Sequence, residues 1–207
     1  MSFTHTVTNQ VPPLVDDDAS AYEPYQEALT RAGATAAIEQ VREIGLAAGS
    51  QEVRRLGELA EKNHPELRTH DRYGNRVDQV EYDPAYHQLM GKAVGFGLHG
   101  SPWASDDPNA HLVRAVGLSA WMQSDAGHVC PISMTYAAVP ALRVDPEIAA
   151  QYEPLLTNRT YDPQFAAPAG KGGLIAGMSM TEKQGGSDVR ANTTTATEQP
   201  DGTYRVV

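Results

Sequence analysis

The 207-residue sequence is poor in cysteine, in aromatic residues and in long apolar runs, and each shortage excludes a class of protein. Its one cysteine, Cys130, cannot close an internal disulfide, which predicts a protein of the reducing cytoplasm. No run approaches the ~20 apolar residues of a membrane-spanning helix. The N-terminus also lacks the basic start and apolar core of a signal peptide. We therefore expect no membrane association.

Positive charge is scarce as well. Lys and Arg together number 16 against 26 Asp and Glu, so the formal net charge is −10. Contacts to nucleic-acid phosphates need clustered Lys and Arg. Aromatic residues, at 7%, are too few to suggest a stacking platform for single strands. The composition therefore argues against nucleic-acid binding by this chain.

Metal and nucleotide motifs are also absent. The seven histidines do not recur at a metal-site spacing such as i, i+4, so no metal site is predicted. Gly170-Lys171-Gly172 resembles part of a phosphate loop, but Phe165 stands where that motif needs its first glycine. Cys130, between a valine and a proline, is predicted to be a small buried core residue, with a nucleophile as the alternative.

Apolar residues at helical spacing dominate residues 20–172 and predict a helical domain there. The predicted helices cover 21–32, 35–48, 51–62, a segment from Pro84, 109–126, a segment from Pro131 to Pro140, and 146–156. Gly33 is expected to end the first helix, and Ser50, Asp83 and Asp145 to begin later ones. Residues 64–83 lose the helical period and predict a short hairpin.

Polar residues 1–19 form a predicted N-terminal arm, which must pack on something, such as a neighbouring subunit, unless it is a disordered tail. Extended segments are predicted only later, at 173–181 and 193–198, followed by a turn at Pro200-Asp201-Gly202 and a return strand. Residues 173–207 are therefore expected to begin a β domain. Three short strands do not make a stable sheet, so we expect the chain to be the N-terminal part of a longer protein.

One stretch, Gly177 to Asp188, has the pattern of a binding loop: Gly-Met-Ser-Met-Thr-Glu-Lys-Gln-Gly-Gly-Ser-Asp. The apolar run before it predicts a buried strand that ends in a polar turn. Its paired glycines allow a ligand to approach the backbone, and its hydroxyls can donate and accept hydrogen bonds. The pattern suits a flat cofactor with a polar edge, and an ordinary strand and turn is the alternative.

The same stretch, with Asn192-Thr193-Thr194 after it, resembles the flavin-binding signature of the acyl-CoA dehydrogenase family in its AidB-like, alkylation-response branch. Lys183 and Gly185 depart from the commoner family form, which has proline and often alanine at these positions. Cys130 to Thr135 and Leu155 to Arg159 are also similar. The resemblance spans nearly the whole chain. It implies a mainly α N-terminal domain followed by the start of a β-barrel domain, without the family's C-terminal helical bundle.

The resemblance implies that FAD binds between the β domain and that bundle, with Thr181 at the flavin ring and Ser187 toward the pyrophosphate and the acyl thioester. The implied FAD-binding residues are Met178, Ser179, Met180, Thr181, Glu182, Lys183, Gln184, Gly185, Gly186 and Ser187. The implied reaction is α,β-dehydrogenation of an acyl-CoA by a homotetramer. The family's catalytic glutamate is expected beyond Val207, so no catalytic residue is assigned here, and this chain alone is expected to be inactive.

Three alternatives stay open. Glu182 or Asp188 could act as a base, although a hydrogen-bonding role in the turn is the simpler reading. The parent could be a flavoprotein that protects DNA, with its basic surface beyond residue 207. The helical domain could instead be an assembly module without flavin.

Overall fold

The structure is a computed structural model that describes residues 4, 6, 8–11 and 14–207. These residues form seven α-helices: α1 (Glu23–Arg31), α2 (Ile38–Gly49), α3 (Gln51–Lys62), α4 (Pro84–Gly95), α5 (Ala110–Trp121), α6 (Val129–Leu142) and α7 (Pro146–Thr157). Two strand pairs accompany them: β1 (Glu66–His70) with β2 (Arg76–Glu81), and β3 (Ala196–Glu198) with β4 (Tyr204–Val206). The mainly helical prediction is confirmed.

The chain divides into two compact units, Met1–Ala176 and Gly177–Val207. The first contains every α-helix and the β1–β2 hairpin, and the second contains β3 and β4. No helix in the described part of the chain has the length and apolarity needed to cross a membrane.

The predicted helix starts follow from side-chain caps. The hydroxyl of Ser50 accepts the Val53 amide hydrogen, and the carboxylate of Asp83 accepts that of Ala85. Asp145 caps α7 in the same way. Each cap satisfies a donor that the first turn leaves open, which is typically worth about 1 kcal/mol.

Helix pairs α2–α5 and α3–α4 pack side by side and enclose the core of the larger unit. Trp121 is its largest fully buried side chain and lies edge-on to Phe96. The main cluster includes Ile44, Val53, Leu56, Leu89, Met90, Val94, Leu98, Trp121 and Ile132. A second cluster comprises Leu29, Ala34, Val41, Val113 and Val116. Burying each large apolar side chain stabilises the fold by about 1.5–3 kcal/mol.

The predicted hairpin at 64–83 is present. β1 and β2 are antiparallel, with Glu66 opposite Glu81 and a register shift between Arg68 and His70. An exposed ion pair joins Arg68 to Glu81 at 2.7 Å. Because almost every side chain on these strands is exposed, backbone hydrogen bonds rather than apolar burial define the hairpin.

Two helix predictions need correction. Helix α5 ends at Trp121 rather than at 126, because residues 125–128 form a separate turn before α6, in which the Asp125 carboxylate accepts the His128 amide hydrogen. Cys130 is exposed, so its prediction as a core residue is wrong. It lies in the first turn of α6, where Val129 and Ile132 face the core and the position between them faces solvent.

The strand predicted at 173–181 is also wrong. The described chain contains no strand there, and a strand needs a partner for its amide and carbonyl groups. Instead, the Leu174 amide donates to the Leu155 carbonyl and the Ala176 amide donates to the Thr135 hydroxyl. The later strands do form, as the antiparallel pair β3–β4 around the predicted turn.

Much of the predicted arm, including residues 1–3, 5, 7, 12 and 13, lies outside the described residues. Its end does pack within the chain. The Asp16 amide donates to the Gly49 carbonyl at 2.8 Å, and the Asp16 carboxylate accepts from Gln51. This part of the arm therefore lies against the junction of α2 and α3.

Candidate functional site

The candidate site is the segment 177–188 of the smaller unit, which precedes the β3–β4 hairpin. Nearly all of its side chains are exposed, and only Glu182 and Gly186 are half-buried. The segment has no repeating secondary structure beyond a single bridge between Glu182 and Gly185. Its conformation therefore depends on side-chain hydrogen bonds.

Glu182 provides most of those bonds. Its carboxylate accepts from the amides of Thr193 at 2.9 Å and Thr194 at 2.8 Å, and also from the amide group of Gln184. Hydrogen bonds from the Thr194 side chain and from these backbone amides lower the pKa of Glu182 to about 2. Glu182 thus ties the start of the segment to the chain that leads into β3.

Two further side chains hold the segment. The Asn192 amide donates to the Met180 carbonyl at 2.9 Å. Asp188 accepts the Arg190 amide hydrogen and so begins a short 3₁₀ turn at Val189–Ala191. The Asn192 contact holds residues 188–194 against Met180, and the Asp188 cap fixes the turn between them.

This folding leaves a row of donors without partners. The backbone N–H groups of residues 178–181 donate to no acceptor within the described part of the protein. The hydroxyls of Ser179, Thr181 and Ser187 make no hydrogen bond to described residues either. An exposed and braced set of donors can bind the acceptor edge of a planar ligand.

Gly186 lies against Thr181. A Cβ added at Gly186 would come 2.8 Å from Cγ2 and 2.9 Å from Oγ1 of Thr181, which is closer than such atoms pack. The glycine is needed here for close approach rather than for an unusual backbone angle. At neighbouring Gly185 an added Cβ would meet nothing within 4 Å.

The donor set fits one edge of FAD. Free amides at 178–181 can bond the oxygen and nitrogen atoms of a flavin ring, and Thr181, fixed by Gly186, can add a hydroxyl. Both carboxylates of the segment are already engaged: Glu182 accepts from the Thr193 amide, and Asp188 caps a turn. Within the described residues, no cluster of His, Cys, Asp and Glu could hold a metal ion.

The sequence predicted a hydrogen-bonding role for Glu182 in the turn, but not its partners, and it assigned no role to Asn192. The quoted motif contained both residues, but spacing alone did not show that Glu182 binds two consecutive threonine amides eleven and twelve residues later. The sequence pattern that could have indicated this contact is a glutamate followed by Asn192-Thr193-Thr194.

Two solved structures share this fold. The first, of Caenorhabditis elegans ACDH-11 in complex with C11-CoA, matches with a TM-score of 0.75 and 26% identity, over 99% of this chain and 35% of that one. The second, the apo form of Bd2924, matches with a TM-score of 0.77 and 23% identity. That match covers 97% of this chain and 40% of the Bd2924 chain. The fold is therefore that of the N-terminal domain of acyl-CoA dehydrogenases.

The family is defined more closely by sequence. Residues 9–163 match the family described as adaptive response protein AidB N-terminal domain, and the chain belongs to that family. It is 40% identical over 210 aligned residues to AidB of Escherichia coli (strain K12), whose assignment as an acyl-CoA dehydrogenase is provisional. That match covers 99% of this chain and 38% of the relative.

A second relative is acyl-CoA dehydrogenase family member 11 of Caenorhabditis elegans. The two are 31% identical over 163 residues, which cover 76% of this chain and 25% of the relative. The chain thus spans well under half the length of the curated relatives that it matches.

Proposed function

We propose that this chain supplies one side of the flavin site in an FAD-dependent, acyl-CoA dehydrogenase-like oxidoreductase. The observation that carries the proposal is the row of unpartnered backbone donors at 178–181, braced by Glu182 and Asn192. Family membership supports the same reading, because the braced donors fall in the stretch that resembles the family's flavin signature.

The bound FAD would supply the hydride acceptor for α,β-dehydrogenation of an acyl-CoA thioester. The residues of this chain would bind and orient it. Backbone amides at 178–181 and the Thr181 hydroxyl would bond the polar edge of the ring, where negative charge builds on reduction. Such donors stabilise that charge without rearrangement, because the brace fixes them beforehand.

An acyl-CoA thioester is the proposed substrate. ACDH-11, a structural neighbour, was solved in complex with C11-CoA. Ser187 is the residue of this chain that we assign toward the cofactor pyrophosphate and the thioester, since its exposed hydroxyl is unengaged. The full-length protein is proposed to be a homotetramer, which light scattering can test.

The 207-residue chain alone is proposed not to oxidise acyl-CoA. Glu182 is a poor base near neutral pH, because its pKa is about 2 and its carboxylate is already engaged. Asp188 is used as a turn cap. Turnover of acyl-CoA with an electron acceptor by this chain would contradict the assignment.

Gly186→Ala in the protein at its full natural length tests the flavin site. The added Cβ would displace the Thr181 side chain, so we expect lower flavin content and slower bleaching of the flavin by acyl-CoA. Gly95→Ala is the control, because Gly95 lies in α4 outside the segment and a Cβ there also meets nothing within 4 Å. A colourless wild-type protein that takes up no FAD would refute the proposal, as would equal flavin content in both variants.

A role in protecting DNA is a second candidate, favoured by the family's description as an adaptive response protein. With a net charge of −10, the residues of this chain are unsuited to bind DNA themselves. Salt-dependent DNA binding by the full-length protein, absent from the 207-residue chain, is the expected result. DNA binding by this chain at equal strength would contradict that division.

A further inference from the structure

The helical unit contains a cation without a counter-ion. The Arg114 side chain on α5 donates from Nε to the Leu98 carbonyl at 2.7 Å, and its guanidinium lies 4.1 Å from the centre of the Tyr136 ring. Its Nη2 atom is buried and has no hydrogen-bond partner among the described residues. A carbonyl and an aromatic face compensate a buried positive charge only in part.

Burial lowers the pKa of Arg114, which shows that desolvation opposes its charged form. Buried charges in proteins are usually paired, and buried N–H groups usually have acceptors. No carboxylate of the described chain lies within ion-pair distance of this guanidinium. The Arg114 guanidinium therefore keeps hydrogen-bond donor capacity that no described residue uses.

Arg114 lines a cavity of about 220 Å³ next to a second arginine, Arg159. The Arg159 guanidinium has no acceptor within the described residues and is packed against Gly97. A Cβ at Gly97 would lie 2.8 Å from Nε of Arg159, and the glycine has φ +75°. Gly97 thus leaves the space that holds Arg159 at the edge of the cavity.

The polar lining also includes the side chains of Gln40, Ser101 and Ser105. The Ser101 hydroxyl already donates to the Gly97 carbonyl, whereas that of Ser105 accepts the Asp107 amide hydrogen and keeps its own hydrogen free to donate. The donor-bearing side chains of the cavity are therefore two guanidinium groups, the Gln40 amide and at least one hydroxyl.

One carboxylate, Asp107, also lines the cavity. It accepts the Asn109 amide hydrogen at 2.8 Å and forms no ion pair with either arginine. Two arginines against one carboxylate leave the lining with a net positive charge. Burial lowers the pKa of His99, and the charges of Arg159 and Arg114 lower it further.

We propose that this cavity binds a small tetrahedral oxyanion of the phosphate type. Arg114 and Arg159 would supply the two guanidinium groups, and Ser105 would add a hydroxyl. Guanidinium groups match the spacing of phosphate oxygens and bind them with charge-assisted hydrogen bonds. The site lies wholly in the helical unit and is independent of the flavin segment.

Calorimetric titration of the 207-residue chain with inorganic phosphate at low ionic strength tests the site. We expect saturable binding of one phosphate per chain and a higher melting temperature in its presence. Arg159→Gln is expected to weaken binding at least tenfold, and Arg114→Gln at least as much, because each removes a charge-assisted contact.

Arg55→Gln is the matched control, since Arg55 is an exposed arginine on α3 that pairs with Glu58 and does not line the cavity. Its phosphate affinity should stay within twofold of wild type. Arg159 is exposed, so Arg159→Gln keeps the test valid even if Arg114→Gln fails to fold. Absence of saturable binding, or equal loss in Arg159→Gln and Arg55→Gln, would overturn the proposal.

Discussion

The indole N–H of Trp121 donates to Nε2 of His128 at 2.6 Å, and both side chains are fully buried. On its other side, Nδ1 of His128 pairs with the Asp125 carboxylate at 2.6 Å. Since Nε2 accepts from the indole, the ring proton lies on Nδ1 and His128 is neutral. This relay joins the end of α5 to the start of α6.

Trp121→Phe tests the relay. The change removes the indole N–H, leaves Nε2 of His128 without a donor and opens a small cavity, so we expect the free energy of unfolding to fall by about 2–4 kcal/mol. Trp103→Phe is the control. Trp103 is only half-buried, and its indole donates to a helix carbonyl of Tyr136 that water can approach. Equal losses of unfolding free energy in the two variants, measured by denaturant unfolding, would show that the relay contributes no more to stability than the Trp103 hydrogen bond.

Stability should also fall toward acid pH. Burial lowers the pKa of His128 more than its bond to Asp125 raises it, and burial lowers the pKa of His99. Both rings are neutral in the folded chain, so only the unfolded chain takes up their protons just below pH 6.5. The stabilisation is present above that pH and is lost as the pH falls through 6.5 toward the lower folded values. We expect a slope of about 1 kcal/mol per pH unit for each ring.

His128→Gln isolates one of these groups. An amide can accept from Trp121 and donate to Asp125, but it does not titrate. The slope of the unfolding free energy against pH, between about pH 5 and 7, should therefore decrease by the contribution of one histidine ring. His64→Gln, at an exposed histidine, is the control and should leave the slope unchanged. An unchanged slope in His128→Gln would mean that His128 does not contribute.

Glu182→Gln tests the brace of the candidate site. The change replaces one acceptor oxygen with a donor, so one of the amides of Thr193 and Thr194 loses its partner. Hydrogen exchange at these two amides should accelerate, and flavin content of the full-length protein should fall. Glu198→Gln on β3 is the control, because Glu198 takes no part in this network. Unaltered exchange at both threonines would refute the bracing role.

Gly97→Ala tests the backbone that holds Arg159. Alanine at φ +75° costs about 1–2 kcal/mol, and its Cβ would also lie 2.6 Å from the Ser101 hydroxyl. We expect a loss of stability of at least that size, together with weaker phosphate binding as Arg159 is displaced. Gly95→Ala is the control: it lies in α4 with nothing within 4 Å, so the change should be neutral or stabilising. A fully stable Gly97→Ala protein would contradict the packing.

Local signals predicted the helices well. Ser50, Asp83 and Asp145 each placed a helix start because a cap is satisfied by amides two or three residues away. Gly33, with φ +75°, ends α1 as predicted. The end of α5 was missed because it depends on Asp125 binding the His128 backbone, a contact that helical periodicity does not contain.

In the candidate site, too, local features could be predicted from the sequence and longer-range contacts could not. The motif from Met178 to Ser187 and its family resemblance could be read from the order of residues alone, since both are local patterns. The strand expected at 173–181 could not be excluded, because an apolar run forms a strand only where a partner strand exists. Likewise, Cys130 was assigned to the core because periodicity cannot tell which face of α6 meets its neighbours.

By itself, the sequence determined the mainly helical class, the hairpin at 64–83 and the family, and it located the candidate segment at 177–188. Tertiary structure alone decided which amides Glu182 braces, that Arg114 is half-buried without a counter-ion, and that Arg159 shares its cavity. The physical reason is the separation along the chain between the residues that interact. Caps, turns and motifs depend on residues a few positions apart, whereas burial and ion pairing depend on groups that only the folded chain brings together.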